Sequence, residues 1–248
     1  MTRQTSAADR SLHEELHREI MAEFAIETEA WATERVERVV ARLNAVRSDG
    51  EPLGAHVLWI RECTAFTTPA PHLYISRRLL ERLPSDEATA FVLAHEAAHH
   101  DCGHLDLFQN WLDVLPRGSV GTVAAALFRH LEHRMYGPER EGEADRYAVE
   151  LCLDAGYDGE RCLQAFEILE NESLNRGDIS GVFGPESWFD STAPEAHGAG
   201  DALQRWLWTR SRRYLPLRER RERAWEYCRQ RQVARGPEVR HPGTDGGC

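Results

Sequence analysis

Residues 84–104 read Pro-Ser-Asp-Glu-Ala-Thr-Ala-Phe-Val-Leu-Ala-His-Glu-Ala-Ala-His-His-Asp-Cys-Gly-His. Ser85 offers a capping hydroxyl, and Asp86 and Glu87 place negative charge on the positive end of a helix dipole, so a helix is predicted from here to about His104. Inside it, the four-residue spacing of His95 and His99 puts both imidazoles on one face, one turn apart, where two nitrogens can grip one ion. Glu96 is turned about 100° from His95. It is too close along the chain to be a natural third ligand, yet well placed to take a proton from water held at the metal, which makes it the candidate base.

A metal site of this kind needs a third protein ligand and an open fourth position. Glu141-Gly142-Glu143-Ala144-Asp145, beginning 42 residues after His99, offers one. On a helix starting near Pro138, Glu141 and Asp145 share a face at i and i+4, so Glu141 can reach the ion while Asp145 orients a ligating imidazole from behind. Glu139 and Glu143 face elsewhere on that reading. His104 is read as structural, because the metal already has three ligands. His100, Asp101 and Cys102 are read as surface or supporting groups.

Around this centre, the 248 residues are 42% hydrophobic and 29% charged, with 30 basic against 41 acidic side chains and a formal charge of −11. That composition fits a globular chain with a sizeable core and argues against general binding to a phosphate backbone. Every basic residue is Arg. Residues 201–248 hold 12 Arg against 6 acids and are alone in being basic. From Arg205 to Arg235 the arginines interleave with Glu219, Glu222 and Glu226, which reads as a solvated amphipathic helix, with Trp206, Trp208, Trp225 and Tyr227 available to dock it. No nucleic-acid partner is expected. Six widely spaced cysteines without a C-x-x-C pair read as reduced thiols, and Met1 to Arg10 shows no apolar leader, so a cytoplasmic location is expected. The longest apolar stretch, Val120 to Phe128, is about half a membrane span and reads as a core helix.

Apolar residues at three- and four-residue steps from Ser11 to Val46 predict amphipathic helix, and Ser48-Asp49-Gly50 ends it. Val57–Ile60 and Leu73–Ile75 are β-prone runs around a Thr/Pro segment, giving two or three strands. Further helices are predicted over Thr122–Met135, from Pro138 to the stop at Gly156, from Gly159 to about Arg176, and over Ala202–Val233 with a break near Pro216. The Gly, Ser, Asp and Pro-rich stretch 171–200 reads as a flexible loop or lid.

The order Thr64-Ala65-Phe66-Thr67-Thr68-Pro69, His72-Leu73-Tyr74-Ile75-Ser76, Leu79-Leu80, Leu83-Pro84-Ser85-Asp86-Glu87, His95-Glu96-Ala97-Ala98-His99 and Glu141 to Ala148 resembles HtpX-like and CaaX prenyl endopeptidase-like zinc metallopeptidases. The likeness covers about residues 55–170. It implies a gluzincin with one Zn2+ held by His95, His99 and Glu141, catalysis by Glu96, support from Asp145, and a polypeptide substrate. It also implies that the strand of Leu73, Tyr74 and Ile75 binds the substrate backbone by edge addition. Two departures stand out. Thr192-Ala193-Pro194 carries Ala193 where the family commonly has His before Pro, with His197 or Arg205 as substitutes for stabilising an oxyanion. There is also no membrane span.

The expected architecture is therefore α+β: a single, mostly helical, zincin-like domain over residues 1–235 with a small sheet beside the active-site helix. Within it, 1–47 form an N-terminal helical segment, 55–170 the catalytic core and 201–235 the Arg-rich helices, while 236–248 form a disordered tail. The expected activity is zinc-dependent endopeptidase. A non-catalytic, zinc-braced binding or chaperone-like module is the alternative.

Overall fold

A computed structural model of the chain describes residues 7–48, 51–61, 63–105, 137–175 and 216–235. The predicted helix at Thr122–Met135, the stretch 176–200 with Ala193 and His197, Arg205, Trp206, Trp208 and the tail 236–248 lie outside the described residues.

The N-terminal periodicity resolves into two helices, α1 (Ala7–Glu23) and α2 (Ala30–Asn44). Between them the chain extends: Ile26 bridges Leu58, and the Glu27 N–H donates to Val57 O at 2.9 Å. Three strands follow, β1 (Gly54–Leu58), β2 (Ala65–Thr67) and β3 (His72–Ser76), then the short α3 (Arg77–Arg82). The sheet order is β1-β3-β2, with β1 parallel and β2 antiparallel to β3. Among the described residues helix predominates around this small mixed sheet, so the α+β expectation holds.

Strand order corrects one expectation. Leu73, Tyr74 and Ile75 are on the central strand, paired to β1 on one side and β2 on the other, and all three are buried. Their main-chain groups are taken up by the ladder, so no peptide can add there. Among the described residues, the strand with an outer edge beside α4 (Asp86–Asp101) is β2, which packs against that helix.

Side chains alternate across the sheet. Val57, Leu73 and Ile75 join the main core with Val36, Val39 and Leu43 of α2 and Phe91, Leu93 and Ala97 of α4. His56, His72, Tyr74 and Phe66 take the opposite face, where His17 of α1 covers them.

Helix α4 starts as predicted, with Ser85 Oγ accepting from the Ala88 N–H at 3.2 Å, a cap worth about 1 kcal/mol. From Ala88 to Ala94 every residue is buried. The helix ends at Cys102, where Gly103 adopts φ 70° and the His104 N–H returns to His99 O at 3.0 Å. This left-handed stop folds His104 back over the last turn.

Helix α5 (Pro138–Asp154) lies against α4 in the most extensive helix pairing of the described residues. The predicted helix after Gly159 divides at Gln164 into α6 (Gly159–Leu163) and α7 (Ala165–Asn175). The last helix of the described residues, α8 (Leu217–Arg235), packs on α5, α6 and α7. Its buried side is narrow: Arg220, Ala224 and Cys228, at four-residue steps. Gly159 permits the close approach, since a Cβ there would run into Cys228 Sγ. Trp225 and Tyr227 pack against the core as expected, but Arg220 is not solvated. No helix among the described residues is long and apolar enough to cross a membrane.

Candidate metal centre

The pairing of α4 and α5 brings His95, His99 and Glu141 together, with one ligand-type atom from each lying within 4.8 Å of the others. The two imidazoles meet Nε2 to Nε2 at 3.1 Å. Glu141 Oε2 is 3.6 Å from His95 Nε2, and its Oε1 is 3.6 Å from His99 Nε2. Two imidazoles and one carboxylate, with all three donor groups aimed at one point, are a donor set that suits zinc.

The charges there are consistent with a site built for a cation. Burial opposes charge on His95, but Asp145 and Glu141 outweigh it and push that imidazole up to about 10. His99 is held well below its ordinary value by burial and by His95. The two imidazoles are thus pushed in opposite directions, His95 toward the charged form and His99 toward the neutral one. Burial would raise Glu141 and Asp145, but Arg220 and His95 bring both down to about 2, so both stay ionised.

Behind these donors stand groups that fix their orientation. Asp145 Oδ1 is 3.0 Å from His95 Nδ1, an ion-pair contact lying off the line of a hydrogen bond. His99 Nδ1 is 2.9 Å from His104 Nδ1, and His104 Nε2 is 3.3 Å from Glu143 Oε2. If Glu143 accepts from His104 Nε2–H, His104 Nδ1 can accept from His99 Nδ1–H. The His99 Nε2 lone pair is then left facing the other donors. His104 and Glu143 are thus linked to His99 by contacts that the sequence reading did not foresee. The signal that could have found them is Gly103, the stop that returns the chain over His99.

Arg220 was missed altogether. From α8 its Nε and Nη2 donate to Asp145 Oδ2 and Oδ1 at 2.9 and 2.7 Å, and its Nη1 is 2.6 Å from Glu141 Oε2. One guanidinium therefore spans both acids of the E-x-x-x-D segment, leaving Glu141 Oε1 toward His99. Glu96 is half-buried on α4, and burial pushes its carboxyl up to about 8. His100 Nδ1 is 3.5 Å from its neighbour Asp101, and Asp101 takes a fork from Arg47 at 2.9 and 2.6 Å and a bond from the Tyr147 hydroxyl at 2.6 Å.

With this geometry in place, comparison with protein families decides the class: the profile of peptidase family M48 matches residues 27–198. The chain belongs to peptidase family M48. It is a metallopeptidase, a hydrolase of peptide bonds, in keeping with the resemblance noted from its motifs. No curated protein matches the chain. Family membership favours the enzyme over the non-catalytic binding module. Arg220 of this M48 peptidase lies beyond the matched segment.

Proposed function

We propose that this M48 metallopeptidase is a zinc-dependent endopeptidase in which His95, His99 and Glu141 hold one Zn2+ and Glu96 is the general base. The observation that carries this reading is the meeting of three donor side chains from α4 and α5 within 4.8 Å. The chemistry a zinc ion supplies at such a set is Lewis acidity, which acidifies water and polarises a peptide carbonyl.

The chain's own residues do the rest. Glu96, one residue after His95 on α4, takes a proton from the attacking water and returns it to the leaving amine. Asp145 and His104 keep the two imidazoles presented through Nε2. Arg220 balances the charge of Glu141 and Asp145.

A substrate backbone adds to β2, not β3. Phe66 and Tyr74 are register partners, and Ser76 N–H donates to Thr64 O, so residues 64 and 66 face β3 while the N–H of Ala65 points to the outer edge. Main-chain pairing of that kind gives little sequence preference.

The test is zinc analysis paired with proteolysis of an unfolded casein-type substrate by wild type and Glu96→Gln. The variant is expected to keep its zinc and lose at least about 100-fold in turnover. Wild-type turnover in the variant removes Glu96 from the mechanism.

A further inference from the structure

On the sheet face opposite α4, three more histidines converge. His17 comes from α1, His56 from β1 and His72 from β3, and one ring nitrogen from each lies within 4.8 Å of the others. His56 Nε2 is 3.1 Å from His72 Nδ1, and the His17 ring stacks on His72 with centroids 3.8 Å apart. Tyr74 Oη lies 2.7 Å from His17 Nδ1 and holds that ring in place. None of these residues belongs to the centre on α4 and α5.

We infer that His17, His56 and His72 form a second metal site, taking a divalent transition-metal ion of the imidazole-preferring class, with zinc as the test ion. Three features support it. The donor group is all imidazole without a carboxylate, which disfavours Mg2+ and Ca2+ and suits Zn2+, Cu2+ or Ni2+. Burial holds all three imidazoles below their ordinary value, so each is neutral near pH 7 with a lone pair to offer. Gly54 keeps the space open: a Cβ there would sit 3.0 Å from His72 Nδ1 and 3.8 Å from His56 Nε2.

The three rings come from separate elements, and an ion shared among them ties α1 to the β1–β3 pair. The site is structural in character and stands apart from the hydrolytic centre, so it does not depend on the zinc-peptidase reading.

Equilibrium dialysis of the full chain against Zn2+, followed by metal analysis, tests it on three proteins: wild type, His56→Gln/His72→Gln and His95→Gln/His99→Gln. Two ions per wild-type chain and one in each double variant are expected. The same stoichiometry in wild type and in His56→Gln/His72→Gln overturns the second site. A single wild-type ion lost with His56 and His72 but kept without His95 and His99 supports the second site and sinks the proposed hydrolytic one. Should the His56/His72 variant not fold, Gly54→Ala keeps all three ligands and only crowds His72. It is expected to weaken one of two zinc affinities by at least about tenfold, and unchanged affinity at both sites overturns the inference.

Discussion

Arg220 and Asp145, 75 residues apart, are joined by a buried fork of two hydrogen bonds at 2.9 and 2.7 Å, and the same guanidinium reaches Glu141 Oε2 at 2.6 Å. A helix outside the segment that resembles the family thus supplies countercharge for Glu141 and Asp145. Removing one partner of such a pair leaves uncompensated charge in a low-dielectric interior. Arg220→Met is therefore expected to cost about 3–5 kcal/mol, read as a lower urea midpoint. Arg220→Lys, a point charge without the planar fork, should recover only part of it. A midpoint within error of wild type for Arg220→Met would show that the contact carries no stability.

His104 is argued to hold His99 through the 2.9 Å Nδ1 contact. His104→Ala should fold, since the Gly103 stop is main-chain, but bind zinc at the catalytic centre about 10–100-fold more weakly, as measured by competition with a chelator. Unchanged affinity would return His104 to a purely structural role.

The β2 edge makes a prediction of a different kind. Proline at position 65 removes an N–H that points away from β3, so the sheet should survive. Ala65→Pro is expected to raise KM for peptide substrates several-fold while leaving zinc content unchanged. A KM equal to wild type would place the substrate backbone somewhere other than this edge.

Acid sensitivity should arise partly at Asp101. Burial works against its charge, but contacts from His100, Arg47 and Tyr147 prevail and bring the carboxyl down to about 2 from an ordinary value of 3.8. A depressed folded-state pKa gives stability that is present above the unfolded value and lost as pH falls through about 2. In metal-free protein, urea unfolding of wild type and Asp101→Asn should differ by about 2 kcal/mol at pH 6, with the gap closing between pH 4 and pH 2. A gap that stays constant across that range would rule out the ionised form as the source.

Much of the centre was legible because it rests on helical periodicity. His95 and His99, and again Glu141 and Asp145, are i and i+4 pairs, and Ser85 and Pro138 mark the starts of the helices that carry them. What could not be read depends on contacts between distant segments. Strand order is one case: nothing local in Leu73–Ile75 says that β1 and β2 will flank it on both sides. Arg220 is another, since it sits among arginines that make ordinary i,i+4 surface pairs, such as Arg218 with Glu222 and Arg223 with Glu219. The one local clue is that Ala224 and Cys228, small residues at four-residue steps, continue its face.

The family match stops at residue 198, yet the guanidinium that bridges Glu141 and Asp145 arrives 22 positions later. A chain cut at residue 198 would keep His95, Glu96, His99, Glu141 and Asp145 but leave the two interior acids with His95 in place of the full guanidinium fork. Such a fragment should be insoluble or inactive, having lost both that cation and the packing of Ala224 and Cys228, which makes the end of α8 the natural limit for cutting this protein down.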